Sequence, residues 1–175
     1  VRPPWTEPMA SYAHQIIIEP KMAFGTGRHE TTRSCLAVIR NRFQPGSRFL
    51  DLGCGSGILS ILAAQMGASY IKAIDYDLTA VDNCRENFAV NDITVPNDIL
   101  FGSIEKTSGD APYGFVCSNI IKTTILDMLP RLKSLTRAGG LLVMSGLLAQ
   151  DEADISSALA GLGLTTFTLM RDGDW

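Results

Sequence analysis

The sequence lacks any run that could cross a bilayer. Its most apolar stretch, Ile58 to Ala64, falls far short of the ~20 residues needed. It also lacks an excess of positive charge. Fifteen Lys and Arg face 18 Asp and Glu, giving a net charge of −3 and a pI near 5.3. No basic field is available for a nucleic-acid backbone, so direct nucleic-acid binding is not expected. No charged n-region and apolar h-region open the chain, which argues against a secretory leader. Cysteine is sparse and scattered: Cys35, Cys54, Cys84 and Cys117 form no C-x-x-C pair. That spacing suits reduced thiols in a cytoplasmic protein better than a disulfide frame or a zinc site. No internal repeat, low-complexity tract, catalytic triad, metal-ligand cluster or paired carboxylates can be read.

What is present describes one globular domain. At 175 residues, 46% hydrophobic and 19% charged, the chain can bury a full core and is unlike a disordered one. It begins at Val1 rather than Met and stops abruptly at Trp175, so its length suits a fragment.

The opening stretch Val1–Pro8 is Pro-rich and reads as an extended linker. Gln15–Glu19 is a short apolar run. Ala23–Thr32 (AFGTGRHETT) is a loop rich in Gly and Thr, and Thr31 or Thr32 can N-cap a helix carrying Leu36, Ile39 and Phe43. Pro45-Gly46 ends that helix. From there strand, loop and helix alternate. Strands are expected at Arg48–Leu52, Tyr70–Ile74, Ile99–Gly102, Phe115–Ser118, Leu141–Ser145 and Leu164–Met170. Helices are expected at Ile58–Met66, after Asp77 with Val81, Cys84 and Phe88 on one face, and at Ile125–Leu135 and Asp151–Leu159. Arg137–Gly140 reads as a turn. Short apolar strands alternating with helices predict a mostly parallel twisted sheet with helices on both faces.

The strongest chemical signal is Asp51-Leu52-Gly53-Cys54-Gly55-Ser56-Gly57, which leaves a strand and enters a helix. Glycines suit a sharp turn that a ligand must approach closely. A carboxylate, Asp75, ends the next strand about 20 residues on, where it can accept hydrogen bonds from both hydroxyls of a ribose. A dinucleotide loop, G-x-G-x-x-G, would place its third glycine at position 58, which is Ile58; here the glycine is Gly57. A pyrophosphate needs a helix N-terminus brought close, whereas S-adenosylmethionine carries only a carboxylate, an ammonium and a sulfonium. G-x-G-x-G with an acidic residue, Asp51, two positions before it resembles the S-adenosylmethionine loop of Rossmann-like methyltransferases, and this resemblance favours S-adenosylmethionine over NAD.

Three blocks of this sequence resemble the catalytic domain of the ribosomal protein L-eleven methyltransferases, the PrmA type. Glu19–Thr32 (EPKMAFGTGRHETT) is similar to the family's D-P-x-x-A-F-G-T-G-x-H-x-T-T. Leu50–Gly57 with Ile74–Asp77 is the second block. Ser118-Asn119-Ile120-Ile121, followed by Gly139-Gly140-Leu141 and Ser145–Leu148, is the third. The resemblance runs from about Val1 to Trp175. It implies a Rossmann-like class I methyltransferase that binds S-adenosylmethionine through Thr32, Gly53, Asp75 and Asn119, with Gly55 beside Gly53 and Ser103 a weaker candidate for the adenine side. Asp75 would hold the ribose, and Asn119, the catalytic candidate, would face the transferred methyl.

His29 reads as a structural loop residue before a catalytic base. Related amino methyltransferases follow the Asn with two prolines and an aromatic residue. This chain has none there, which leaves open how the loop is held. Lys122 stands where the family has a small residue; pointed at the methyl-transfer position it would repel a sulfonium, so it is expected to point away.

The implied activity is N-methylation of a large-subunit ribosomal protein at its N-terminal α-amine and at lysines. The implied boundaries are an interdomain linker remnant and lead-in strand over 1–20 and a cofactor-binding catalytic domain over 21–175. A longer native chain is expected, with a recognition domain before Val1 and a last antiparallel strand after Trp175. Two other readings stay open: another amino or small-molecule methyltransferase, and a non-catalytic S-adenosylmethionine-binding module.

Overall fold

The computed structural model describes residues 1–7, 14–19 and 27–175. Pro8, the start of the Ala23–Thr32 loop and the boundary expected at residue 20 lie outside the described residues. Helix α1 (Glu30–Arg42) precedes a regular alternation: β1 (Arg48–Leu52), α2 (Ile58–Gln65), β2 (Tyr70–Asp75), α3 (Leu78–Val90), β3 (Asn97–Phe101), β4 (Tyr113–Asn119), α4 (Lys122–Leu135), β5 (Thr136–Ser145) and α5 (Glu152–Gly161). The five strands pair in the order β3-β2-β1-β4-β5, every pair parallel. β1 and β2 are buried after their first residue, as strands covered on both faces should be. Edge strand β3 is exposed or half-buried throughout.

Apolar clusters lie on both faces. Phe49, Ile71, Phe115 and Cys117 pack against α1, α2 and α3; Leu50, Leu52, Ile74 and Val116 pack against α4, with α5 stacked on α4 through Ile125, Leu129, Ile155 and Leu159. Neighbours along β1 thus serve opposite cores, as the two-residue period of a strand requires. α2 is buried along Ile58–Ala63. α3 starts at Asp77, whose carboxylate accepts from the Thr79 N–H at 2.8 Å, and buries Val81, Cys84 and Phe88 as their spacing predicts. No helix among the described residues is long and apolar enough to cross a membrane, and they contain no metal-ligand cluster.

Several elements differ from expectation. His29, not Thr31 or Thr32, caps α1: its ring nitrogen accepts from the Thr31 N–H at 3.3 Å and both threonines lie inside the first turn. β3, β4 and α4 begin earlier than their apolar runs, because sheet pairing recruits Asn97 and Asp98 opposite Ile71 and Lys72 and Tyr113 opposite Thr136. Arg137–Gly140 is not a free turn. It lies within β5, as an irregularity where the register jumps between the Tyr113–Thr136 and Phe115–Leu141 pairs.

Leu164–Met170 forms no strand. The sheet ends at β5, and the segment does not pair with its outer edge. Phe167, Leu169 and Met170 stay about half exposed. The chain beyond is drawn to α1 instead: Arg33 pairs with Asp172 at 2.8 Å, and Trp175 meets the His29 ring edge-on at 4.8 Å between centroids.

The four cysteines, scattered in sequence, are free and buried. They meet as two thiol pairs, Cys35 with Cys117 and Cys54 with Cys84. Hydrogen bonding within the pairs, then burial, holds Cys54 and Cys117 protonated.

Candidate functional site

In a doubly wound sheet the ligand crevice lies beyond the carboxyl ends of the strands, where the chain order reverses. Here that point falls between β1 and β4. The glycine loop leaves β1 and Asn119 ends β4, so the topology brings together the two blocks separated in sequence.

The loop is held by backbone contacts that only glycine allows. Gly53, Gly55 and Gly57 all have positive φ, at 78°, 52° and 78°. A Cβ on Gly53 would sit 2.3 Å from Ile120 Cγ2, and one on Gly57 would sit 2.5 Å from Cys84 Sγ. The N–H groups of Gly53 and Cys54 donate to the Ile74 carbonyl at 2.8 and 3.1 Å. Asp75, at the end of β2, accepts from the Gly55 N–H at 2.9 Å through Oδ2 and from the Asp77 N–H at 3.0 Å through Oδ1. One carboxylate therefore fixes the turn, and because each of its oxygens has two lone pairs it retains acceptor sites for a ligand.

Asn119 is half-buried, and its Oδ1 has no hydrogen-bond partner in the protein. Thr32 Oγ1, Asp51 Oδ1 and Ser118 Oγ share this condition. All four lie in the first turn of α1 or in the last two residues of β1 and β4. Arg2 Nε, Arg48 Nε, Gln65 Oε1 and Asn83 Nδ2 are also buried without a partner, elsewhere in the fold. Each such group costs about 1–3 kcal/mol if left unpaired, and the four beside the switch point are placed where polar ligand atoms could pair with them. α1 comes over this end through Ser145 Oγ, which donates to the Thr31 carbonyl at 3.4 Å, while Ser145 is the register partner of Asn119.

The loop after Asn119 is secured without prolines. The Ile120 N–H donates to the Ser145 carbonyl at 3.1 Å. Its side chain occupies the space left by Gly53, and a Cβ on Gly146 would come within 2.6 Å of the Ile120 carbonyl oxygen. Ile120 is thus clamped between two glycines.

Lys122 is engaged by two carboxylates at the start of α5. Its Nζ pairs with Asp151 Oδ1 and Asp154 Oδ2, both at 2.9 Å, and these two carboxylates raise its pKa, Asp154 most. His29 serves α1 as its cap and faces Trp175, a structural post. Ser103 sits just past β3, its N–H donating to Glu105 Oε1 at 2.9 Å and its hydroxyl 3.8 Å from Met128 Sδ. It lies at the ligand end of the sheet but contacts no other predicted site residue among the described hydrogen bonds.

The motif residue Asp51 is more unusual than its place in the sequence shows. It is fully buried, with Ser60 Oγ donating to Oδ2 at 2.6 Å. Burial, reinforced by the nearby Asp75 charge and opposed by the Ser60 hydrogen bond, pushes its pKa up to about 7. Only the placement of α2 under the loop reveals this. A shallow cavity of ≈100 Å³ lined by Arg42, Gln44 and Ser47 lies at the opposite, amino end of the strands and is unrelated to this arrangement.

A parallel sheet reversing between β1 and β4, a glycine loop fastened by the carboxylate that ends β2, and an asparagine at the end of β4 together define a Rossmann-like fold of the methyltransferase class. The sequence model of the family described as ribosomal protein L11 methyltransferase (PrmA) matches residues 1–175, and the chain belongs to that family. A ribosomal protein L11 methyltransferase of Myxococcus xanthus is 37% identical over 178 residues, which cover all of this chain and 60% of that protein. One of Desulforapulum autotrophicum is 35% identical over 177 residues, covering 58% of its length. The crystal structure of a ribosomal protein L11 methylase from Lactobacillus delbrueckii subsp. bulgaricus superimposes with a TM-score of 0.83 at 28% identity, over 99% of this chain and 89% of that one. The chain spans about three fifths of the length of the curated relatives it matches.

Proposed function

We propose that this chain is the cofactor-binding and methyl-transferring part of an S-adenosylmethionine-dependent N-methyltransferase. Its substrate is a large-subunit ribosomal protein, modified at the N-terminal α-amine and at lysine side chains. Family membership supports the class. The observation that carries the chemistry is the partnerless, buried Oδ1 of Asn119 at the switch point beside the glycine loop.

The residues present fit the cofactor. Asp75 has acceptor capacity for two ribose hydroxyls beyond its backbone bonds. Gly53 and Gly55 would present backbone groups to the methionine end, Thr32 Oγ1 would be a free polar partner, and Ser103 would serve the adenine side. When bound, S-adenosylmethionine supplies an electrophilic methyl for in-line transfer to a neutral amine.

Asn119 Oδ1 would accept the amine N–H and aim its lone pair. Presenting a lysine neutral at pH 7 costs on the order of 4–5 kcal/mol, against roughly 1 for an α-amine. Desolvation of the bound amine reduces that cost by lowering its pKa, while the Asn119 acceptor orients it. Nothing in this arrangement resembles a strong acid or base catalyst, so positioning supplies most of the rate. The cytoplasm is the compartment this reading implies, in keeping with four free thiols, and the negative net charge favours a protein substrate contacted without nucleic acid.

Isothermal titration with S-adenosylmethionine and with NAD tests the cofactor; binding of NAD alone would refute methyl transfer. Labelled cofactor, the full-length protein and isolated ribosomal proteins test the substrate, and label absent from L11 but present in another protein or in RNA would overturn that assignment. Asn119→Ala should lower turnover by ~10²-fold or more, the scale of losing one aimed polar contact, with much less effect on cofactor affinity. Equal losses in both would make Asn119 a structural residue.

A further inference from the structure

The buried face of α3 carries amides at i, i+4 and i+8: Asn83, Asn87 and Asn91. Burying an amide is costly unless its hydrogen bonds are made, so what these side chains bond to is informative. Asn91 faces the lead-in segment, accepting from the Ile17 N–H at 2.8 Å and donating to the Ile17 carbonyl at 2.7 Å. Asn87, with no exposed surface, reaches two segments. Its Oδ1 accepts from the Glu19 N–H at 3.1 Å, and its Nδ2 donates to the Ser56 carbonyl in the glycine loop at 2.9 Å. Nδ2 also meets Asn83 Oδ1 at 3.3 Å, which fixes the orientation of the amide.

Ser56 lies between Gly55 and Gly57, both at positive φ; the N–H of the Ser56–Gly57 peptide donates to the Cys54 carbonyl at 2.8 Å, and Asn87 holds its carbonyl end. Asp75 holds this loop by the Gly55 N–H; Asn87 holds it by the Ser56 carbonyl. Glu19, at the other end of the Asn87 amide, stands in sequence just before the run that leads to Thr32. One side chain therefore links the glycine loop to the lead-in segment.

We propose that Asn87 is a positioning residue that locks the Ser56–Gly57 peptide of the cofactor loop and couples that loop to the lead-in segment at Glu19. This rests on the reading of the glycine loop as an S-adenosylmethionine site. Asn91 holds the lead-in backbone at Ile17 and Asn87 holds it at Glu19; of these two amides, Asn87 is the one that also bonds the glycine loop, at Ser56.

The test compares Asn87→Asp, which keeps an acceptor for the Glu19 N–H but loses the donor to Ser56 and Asn83, with Asn91→Ala, which loses both bonds to Ile17 and the one to the Asn87 backbone carbonyl but leaves the Asn87 side chain and the loop in place. Titration of S-adenosylmethionine into the full-length protein should give a Kd about tenfold weaker for Asn87→Asp, the effect of one buried hydrogen bond. Asn91→Ala should stay within about twofold of wild type even though its Tm falls. By amide hydrogen exchange, bound cofactor should slow the Glu19 amide in the wild type and leave its rate unchanged in Asn87→Asp, a response that a purely structural role would not produce. Equal affinities for Asn87→Asp and wild type, or a loss in Asn91→Ala matching that in Asn87→Asp, would overturn the proposal and leave the cofactor assignment standing. If Asn87→Asp does not fold, a Glu19 amide in the wild type that ignores the cofactor overturns it instead. Absence of S-adenosylmethionine binding by the wild type would remove both.

Discussion

Gly53 shows how one missing methyl group serves both chain geometry and packing. Its φ of 78° alone would cost an alanine ~1 kcal/mol, and the 2.3 Å approach to Ile120 Cγ2 adds an overpacking cost of about 1–3 kcal/mol. Gly46 separates the two effects, since its φ is 82° but nothing lies within 4 Å of its Cβ position. Gly53→Ala should therefore lower Tm well beyond Gly46→Ala, in thermal melts of the two variants; equal shifts would mean that Ile120 moves aside freely. Asp51 is the second residue whose cost is set by its surroundings. Its pKa of about 7 lies above that of an unfolded Asp, so the folded state binds the extra proton. Its contribution is most favourable below about pH 4 and is lost as pH rises toward 7. Asp51→Asn keeps an acceptor for Ser60 and removes the titration. The difference in Tm between variant and wild type should accordingly turn in favour of the variant between pH 4 and 7, and a difference independent of pH would refute the burial argument.

At the scale of elements, much of the architecture was legible because strands buried on both faces leave continuous apolar runs. β1 was readable to the residue, and Asp77 was identifiable as the α3 cap. What escaped depended on neighbours. Asn97 and Asp98 carry no strand signature and join β3 only because Ile71 and Lys72 offer a paired edge. Leu164–Met170 carries a strand-like pattern but does not pair with the open edge of β5. Thr32, Gly53, Asp75 and Asn119 were expected from the resemblance, whereas Asn87 was not singled out, although amides at every fourth residue, Asn83, Asn87 and the C-cap Asn91, were a visible signal. Lys122 was flagged, and only the packing of α5 against α4 shows what it does. Its pairs with Asp151 and Asp154 tie the start of α4 to the start of α5, and Lys122 in turn holds the Asp151 carboxylate below its ordinary range. That stabilisation is present at neutral pH and disappears as pH falls below about 4. Lys122→Met should slightly lower Tm at pH 7, less so in acid, and leave methyl transfer unchanged. A marked fall in turnover would place the ammonium in the reaction after all.

Across the whole molecule, the four thiols report how the domain comes apart. Cys35 lies on α1, Cys54 in the glycine loop, Cys84 on α3 and Cys117 on β4, yet all belong to one apolar cluster on the α1–α3 face of the sheet. Residues sharing a single packed cluster open together, whereas a loop at its rim can open alone at lower free energy. Cys84 and Cys117 have no exposed surface and Cys35 is 1% exposed; Cys54, at 5%, is carried by a glycine turn whose peptide is held by two side chains, Asp75 and Asn87. Alkylation under native conditions, followed by mass spectrometry of each cysteine, should therefore find Cys54 modified several-fold faster than the others. The remaining three should react at one common rate, set by global unfolding. If Cys117 kept pace with Cys54, the sheet would be breaking at β4 before the loop lets go. A distinct rate for Cys35 would show α1, with Thr32 in its first turn, detaching as a unit of its own. Either result would contradict a cofactor end built as a mobile rim on a single cooperative core.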